Sequence, residues 1–287
     1  MSENVSSARI GQETIEDIIL RHGQRGMKVL REYLPADYCK QAAKKLLGLP
    51  KGEILLTTGF YVAGYAETDG PVGTFALASA LRDLGYQPII VTDKFCKDFF
   101  EAENLPVEYM DINADRAAYM QILMKHAPSA VISIERCGRN IEGKYANMRG
   151  VAIDENTAKI DILTELARER NILTIGVGDG GNEIGMGNVR DVIVEKLSLV
   201  PCAVEVENLV IASVSNWGAY GLTAYLQKLS GKAVLKDFAV YRDFIARTVK
   251  IGSVDGISHE LVCTVDGFDM TVEEEMISAL SEAARIQ

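Results

Sequence analysis

The chain has 287 residues, 48% hydrophobic and 24% charged, with 40 acidic against 30 basic side chains and a formal net charge of −10. That balance, without any long lysine or arginine stripe, excludes the electrostatic footprint that nucleic acid or an anionic membrane surface requires. The composition is that of a globular protein with one large core or two modest ones, neither disordered nor fibrous.

The opening residues Met-Ser-Glu-Asn-Val-Ser-Ser lack the basic start and apolar run of a secretory signal. No apolar stretch approaches the ~20 residues of a membrane helix, so a soluble cytoplasmic protein is expected. Residues 12 to 48 predict helices interrupted at Pro35, with Ile15, Ile18 and Ile19 at helical spacing and Gly48 and Pro50 as stops. The reading is an N-terminal helical extension, residues 1–50, ahead of one α/β domain, residues 51–287. Short apolar runs then alternate with amphipathic stretches, which predicts a three-layer α/β/α fold around a mostly parallel, Rossmann-like sheet.

Strands are predicted at 53–58, 87–92, 107–110, 130–134, 172–177 and 209–214. Helices are predicted near 71–84, 94–103, 114–126, 155–170, 187–198 and 217–230. Towards the end, 238–249 reads as helix and Leu261–Val265 as an edge strand. Thr271 with Glu274 reads as a capping box that opens a final helix to Arg285. Cys39, Cys96, Cys137, Cys202 and Cys263 are scattered and form no C-x-x-C pair, so neither a disulfide framework nor a thiolate zinc site is expected.

Three loops leaving strands are long and glycine-rich: GFYVAGYAETDGP from residue 59, ERCGRNIEGKYANMRG from 135 and GVGDGGNEIGMGN from 176. Ligands of an open parallel sheet bind beyond the carboxyl ends of its strands, where such loops gather. Each loop carries acids: Glu67 and Asp69, Glu135 and Glu142, Asp179 and Glu183. Six carboxylates over one sheet edge need a compensating cation, and an oxygen-only donor set favours Mn²⁺ or Mg²⁺, one ion or more. Asp69 serves equally well as the cap of the helix at Pro71.

Arg136 and Lys144 lie in the second loop with Arg139 and Arg149, where a basic group could hold the anionic part of a substrate. Asp179, Glu183, Arg136 and Lys144 are therefore the catalytic candidates. Gly178, Gly180, Gly181 and Asn182 are candidates for ligand binding through exposed amides. Gly176-x-Gly178-x-x-Gly181 fits a dinucleotide fingerprint only formally, because Asp179 would face the pyrophosphate, and no nucleotide cofactor is expected. Gly178-Asp-Gly-Gly-Asn-Glu183 also resembles the magnesium motif of haloacid-dehalogenase-like phosphatases, without that family's Asp-x-Asp-Gly-Thr strand end.

Taken together, the three loop motifs resemble the D-glutamate cyclase-like C-terminal domain family, from about residue 50 onward. The family is known from two-domain mitochondrial proteins associated with converting D-glutamate to 5-oxo-D-proline, in which a hydro-lyase-like domain comes first. The resemblance implies a lyase that closes D-glutamate with loss of water. The residues themselves favour a metal-dependent hydrolase, a phosphatase of a small phosphorylated metabolite. A non-enzymatic metal-binding protein is the third possibility. The partner expected on this reading is a small anionic substrate, with self-association into a homo-oligomer left open.

Overall fold

The structure, a computed structural model, describes residues 13–23 and 25–286. The opening residues read above for a leader lie outside the described residues. Six parallel strands form the main sheet: β1 (Glu53–Thr57), β4 (Gln87–Thr92), β5 (Val107–Tyr109), β6 (Ala130–Ile134), β7 (Leu173–Gly178) and β8 (Asn208–Ile211). A two-residue hairpin, β2 (Tyr61–Val62) and β3 (Tyr65–Ala66), stands apart within the first long loop. The order β5-β4-β1-β6-β7-β8 is that of a doubly wound Rossmann-type sheet. Its direction reverses between β1 and β6, and the crevice at such a switch point is where ligands settle.

Alternation along each strand explains the three layers. Ile54, Leu56, Ile90 and Ile132 face one core, while Leu55, Ile89, Val91 and Val131 face the other. The second core is closed by α5 (Arg116–His126) and α6 (Asp161–Glu169), through Tyr119, Leu123, Leu163 and Leu166. The larger core is closed by α3 (Tyr38–Gly48), α4 (Pro71–Asp83), α8 (Ser215–Ser230), α9 (Phe238–Ile251) and α10 (Met270–Ala283). Two short helices, α1 (Ile15–Ile18) and α2 (Met27–Leu30), belong to this same core through Ile15, Ile18, Ile19, Met27 and Leu30.

Helices α4 and α8 pack with their backbones close, since a Cβ on Gly73 would stand 2.9 Å from both the Ala219 Cβ and the Asn216 Cα. Their N-termini also satisfy one another. Asn216 Oδ1 accepts from the Gly70 and Gly73 amides, and Asp69 accepts from the amides of Ser215 and Asn216. Asp69 therefore caps α8 across space instead of the α4 helix that follows it in sequence, where Gly70 takes the cap position.

Several expected elements are replaced. Residues 94–103 form two 3₁₀ turns, Lys94–Cys96 and Glu101–Glu103, because the left-handed Asp98 (φ 66°) interrupts any continuous helix. Residues 186–197 run as a 3₁₀ turn, the one-turn α7 (Arg190–Val192) and a π turn ending at left-handed Ser198. Leu261–Val265 forms no strand; Val265 pairs only with Phe268 across a tight turn. The cap of α10 is Asp269, whose Oδ1 accepts from the Thr271 and Val272 amides, so the expected Thr271 box does not form.

Behind the switch point the single tryptophan is fully buried, and Trp217 Nε1 donates to Glu273 Oε1 at 2.6 Å. Burial pushes the Glu273 carboxyl up to about 7 from an ordinary 4.5, while hydrogen bonding from Trp217 holds it back. Between those pH values the fold retains a proton that the unfolded chain has released. The stabilisation is complete below about pH 4.5 and is lost as pH rises through about 7. Glu273→Gln keeps an oxygen for Trp217 and cannot ionise. Its melting advantage over the parent is therefore expected to grow from pH 5 to pH 8, towards about 3 kcal/mol. Parallel melting curves against pH would argue against a protonated Glu273.

Candidate functional site

The sheet delivers its acids to one place. Glu67 and Asp69 follow β1 after the hairpin, Glu135 leaves β6, and Asp179 and Glu183 follow β7. All five are buried, and oxygens of Asp69, Glu135 and Asp179 lie within 4.8 Å of one another. Glu135 sits at φ 44°, a left-handed geometry rare for a side chain of its size and typical of positions that function over-determines. That turn sends Glu135 into the cluster, where Ser215 Oγ donates to its Oε2 at 2.6 Å, and sends Arg136 the other way.

Two charged residues without a sequence nomination complete the cluster. Arg25, between α1 and α2, places Nη1 2.8 Å from each Asp179 oxygen and 2.9 Å from Asp266 Oδ2. Asp266, in the loop before α10, is also left-handed (φ 52°), followed by Gly267 (φ 77°). The only sequence hints were an arginine beside Gly26 and an Asp-Gly pair, both ordinary turn signals.

Electrostatics follow from burial. Loss of water raises Glu67, Asp69 and Glu135 well above the usual carboxylate range, and their acidic neighbours push further in the same direction. Burial lifts Asp179 to about 6, with Arg25 pulling it back, and lifts Asp266 to about 7 with Asp179 adding to the rise. Burial also works against the Arg25 charge, but Asp179 and Asp266 outweigh it and raise its pKa.

Glu67, Glu135, Asp179, Glu183, Arg25 and Asp266 line a cavity of about 480 Å³, a size typical of small-molecule sites, and Asp69 lies behind them. Tyr61, Asn147, Arg149, Asn156, Asn182 and His259 are among its other lining residues. Asp69, Glu135 and Asp179 form an acidic triad able to bind a metal ion. Its all-oxygen donor set suits a hard divalent cation. A second observation fits: Glu67, only 6% exposed, lines the cavity and makes no side-chain hydrogen bond among the described residues.

Other nominated residues are placed differently. Glu142 and Lys144 point outwards and meet each other at 4.0 Å, with side chains 57% and 66% exposed. Arg136 is wholly buried, held by Asp93 Oδ2 at 2.6 Å and by the carbonyls of Gly59 and Ala158. Loop membership does not fix direction, and these three do not join the cluster. Glu183 is at the site, yet its oxygens accept from the Gly180 and Gly181 amides at 2.7 and 2.8 Å. The loop's own carboxylate thus takes the amides expected to meet a ligand. Gly178 ends β7, and Asn182 lines the cavity while its Nδ2 donates to the Ala146 carbonyl.

A doubly wound sheet with a buried acidic site at its switch point defines the class of fold. The chain belongs to the D-glutamate cyclase-like, C-terminal family, whose model matches residues 15–281. The match starts well before residue 50, and α1 and α2 pack with the main core. The human protein D-glutamate cyclase, mitochondrial, is 31% identical over 221 residues, 68% of this chain. The chain spans 35% of that relative's length.

Among solved structures, UDP-GlcNAc 2-epimerase from Methanocaldococcus jannaschii is similar at 14% identity and TM-score 0.34, over 69% of this chain and 49% of the other. A glycosyltransferase from Rickettsia africae gives 14% and 0.31, over 57% and 43%. Neither likeness carries an argument about function. The family and the human relative are both described by cyclase chemistry, which overturns the expectation of a phosphatase or other metal-dependent hydrolase. The relative's name is mitochondrial, not cytoplasmic, and no helix among the described residues is long and apolar enough to cross a membrane.

Proposed function

We propose that this chain carries the site for a D-glutamate cyclase-like reaction, closing an acidic amino acid to 5-oxo-D-proline with loss of water. The observation that supports it is the buried acidic cluster at the switch point, in a chain whose family bears that description. In the reaction the amine nitrogen bonds to the side-chain carboxyl carbon, and one carboxyl oxygen departs as water. Two protons of the ammonium end on that oxygen, so no outside donor is needed.

The chain must therefore accept protons near nitrogen and return them near oxygen. Glu67 and Asp266 suit this relay, because burial raises both and both line the cavity outside the triad. Asp69, Glu135 and Asp179 would hold Mn²⁺ or Mg²⁺, whose role when bound is to polarise the carboxyl group under attack. The wall of the cavity would hold the substrate folded, with nitrogen and carbon in reach of each other.

The test is incubation of the purified chain with D-glutamate or L-glutamate, with Mn²⁺ or Mg²⁺ and after chelation, followed by chiral chromatography. Formation of 5-oxo-D-proline from the D isomer, lost with chelator and restored by metal, is expected. A folded, metal-binding chain that leaves D-glutamate unchanged would rule the reading out.

A further inference from the structure

Arg25 and Arg136 use their donors in different ways. The polar contacts of Arg25 among the described residues run through Nη1, to both Asp179 oxygens and to Asp266. Among the described residues, neither Nη2 nor Nε has a partner. The side chain remains 19% exposed and lines the cavity. Arg136 offers the contrast: its Nη1 and Nη2 both end on protein oxygens, and its head is sealed from solvent.

A guanidinium carries five N–H donors in a rigid fork, and its Nε/Nη2 edge matches the two oxygens of a carboxylate. We propose that Arg25 is a carboxylate subsite: Nη1 fixes the head on Asp179 and Asp266, and the opposite edge binds the carboxylate of a small ligand in the cavity. The acid pair thereby orients the fork and limits the side-chain entropy lost on binding. The subsite deepens the cyclase reading by naming what holds one end of a dicarboxylic substrate. It predicts that ligands with a free carboxylate are selected over their amides or esters.

The test separates this role from both the cyclase reading and simple charge balance. Glutarate, which has two carboxylates and no amine to cyclise, is titrated calorimetrically into the full chain. Arg25→Lys keeps a positive charge for Asp179 and Asp266 but loses the fork; Arg25→Gln loses both. Glutarate affinity is expected to fall about 10-fold or more in Arg25→Lys while its melting temperature stays near the parent's. Arg25→Gln is expected to lose binding and stability together. Equal glutarate affinity in the parent and Arg25→Lys overturns the subsite, as does a parent that binds no glutarate. Glutarate binding that depends on Arg25, in a chain that does not turn over D-glutamate, sustains the subsite while rejecting the cyclase reading.

Discussion

Glu135→Gln is expected to weaken Mn²⁺ binding by about 100-fold or more and, in the same protein, to raise the melting temperature of the metal-free form. The first effect follows from the triad, in which Glu135 supplies one of three oxygens within 4.8 Å of one another. Losing even an outer partner of a metal ligand costs about 10–100-fold, so losing a ligand lies at the upper end or beyond. The second effect follows from repulsion. Asp179, Glu183, Asp69 and Glu67 all act against ionisation of Glu135, which burial already opposes. An amide removes that conflict and still offers an oxygen to Ser215 Oγ. A gain on the order of 1 kcal/mol, about 2–4 °C, is expected. Calorimetric titration with Mn²⁺ and paired melts with and without metal read both effects. A variant that binds Mn²⁺ as the parent does would place the ion elsewhere.

Arg136→Leu is expected to destabilise the fold by about 3–5 kcal/mol. Asp93, 1% exposed, would be left as a buried charge without its guanidinium, and the carbonyls of Gly59 and Ala158 would lose their donor. Because this arginine points away from the cavity, activity per folded molecule is expected to persist at low temperature. Denaturant melts and turnover at 10 °C separate the outcomes. Near-parental stability with lost turnover would return Arg136 to the chemistry its loop first suggested.

The strand pattern and the three glycine-rich loops were legible because buried parallel strands read as short apolar runs and long loops are rarely idle. Five of the six nominated carboxylates do meet, as convergence at a switch point demands. What could not be read was direction. Glu135 and Arg136 are neighbours sent to opposite sides by one left-handed residue, and Glu142 and Lys144 occupy the same loop but face solvent. Arg25 and Asp266 lie far in sequence from Asp179, and nothing local marks their meeting. Caps misled for a related reason, since Asp69 serves α8, which begins at Ser215, instead of the helix beside it.

The clasp of Arg25 and Asp266 on Asp179 gives the protein a built-in check on its own completeness. Until synthesis has passed residue 266, the half-made pocket lacks one member of its innermost ion group. A protease cut that frees the segment bearing Arg25 would likewise strip Asp179 of the guanidinium it holds. Because α1, α2 and α10 also pack into the larger core, trimmed forms should lose the pocket and part of that core together.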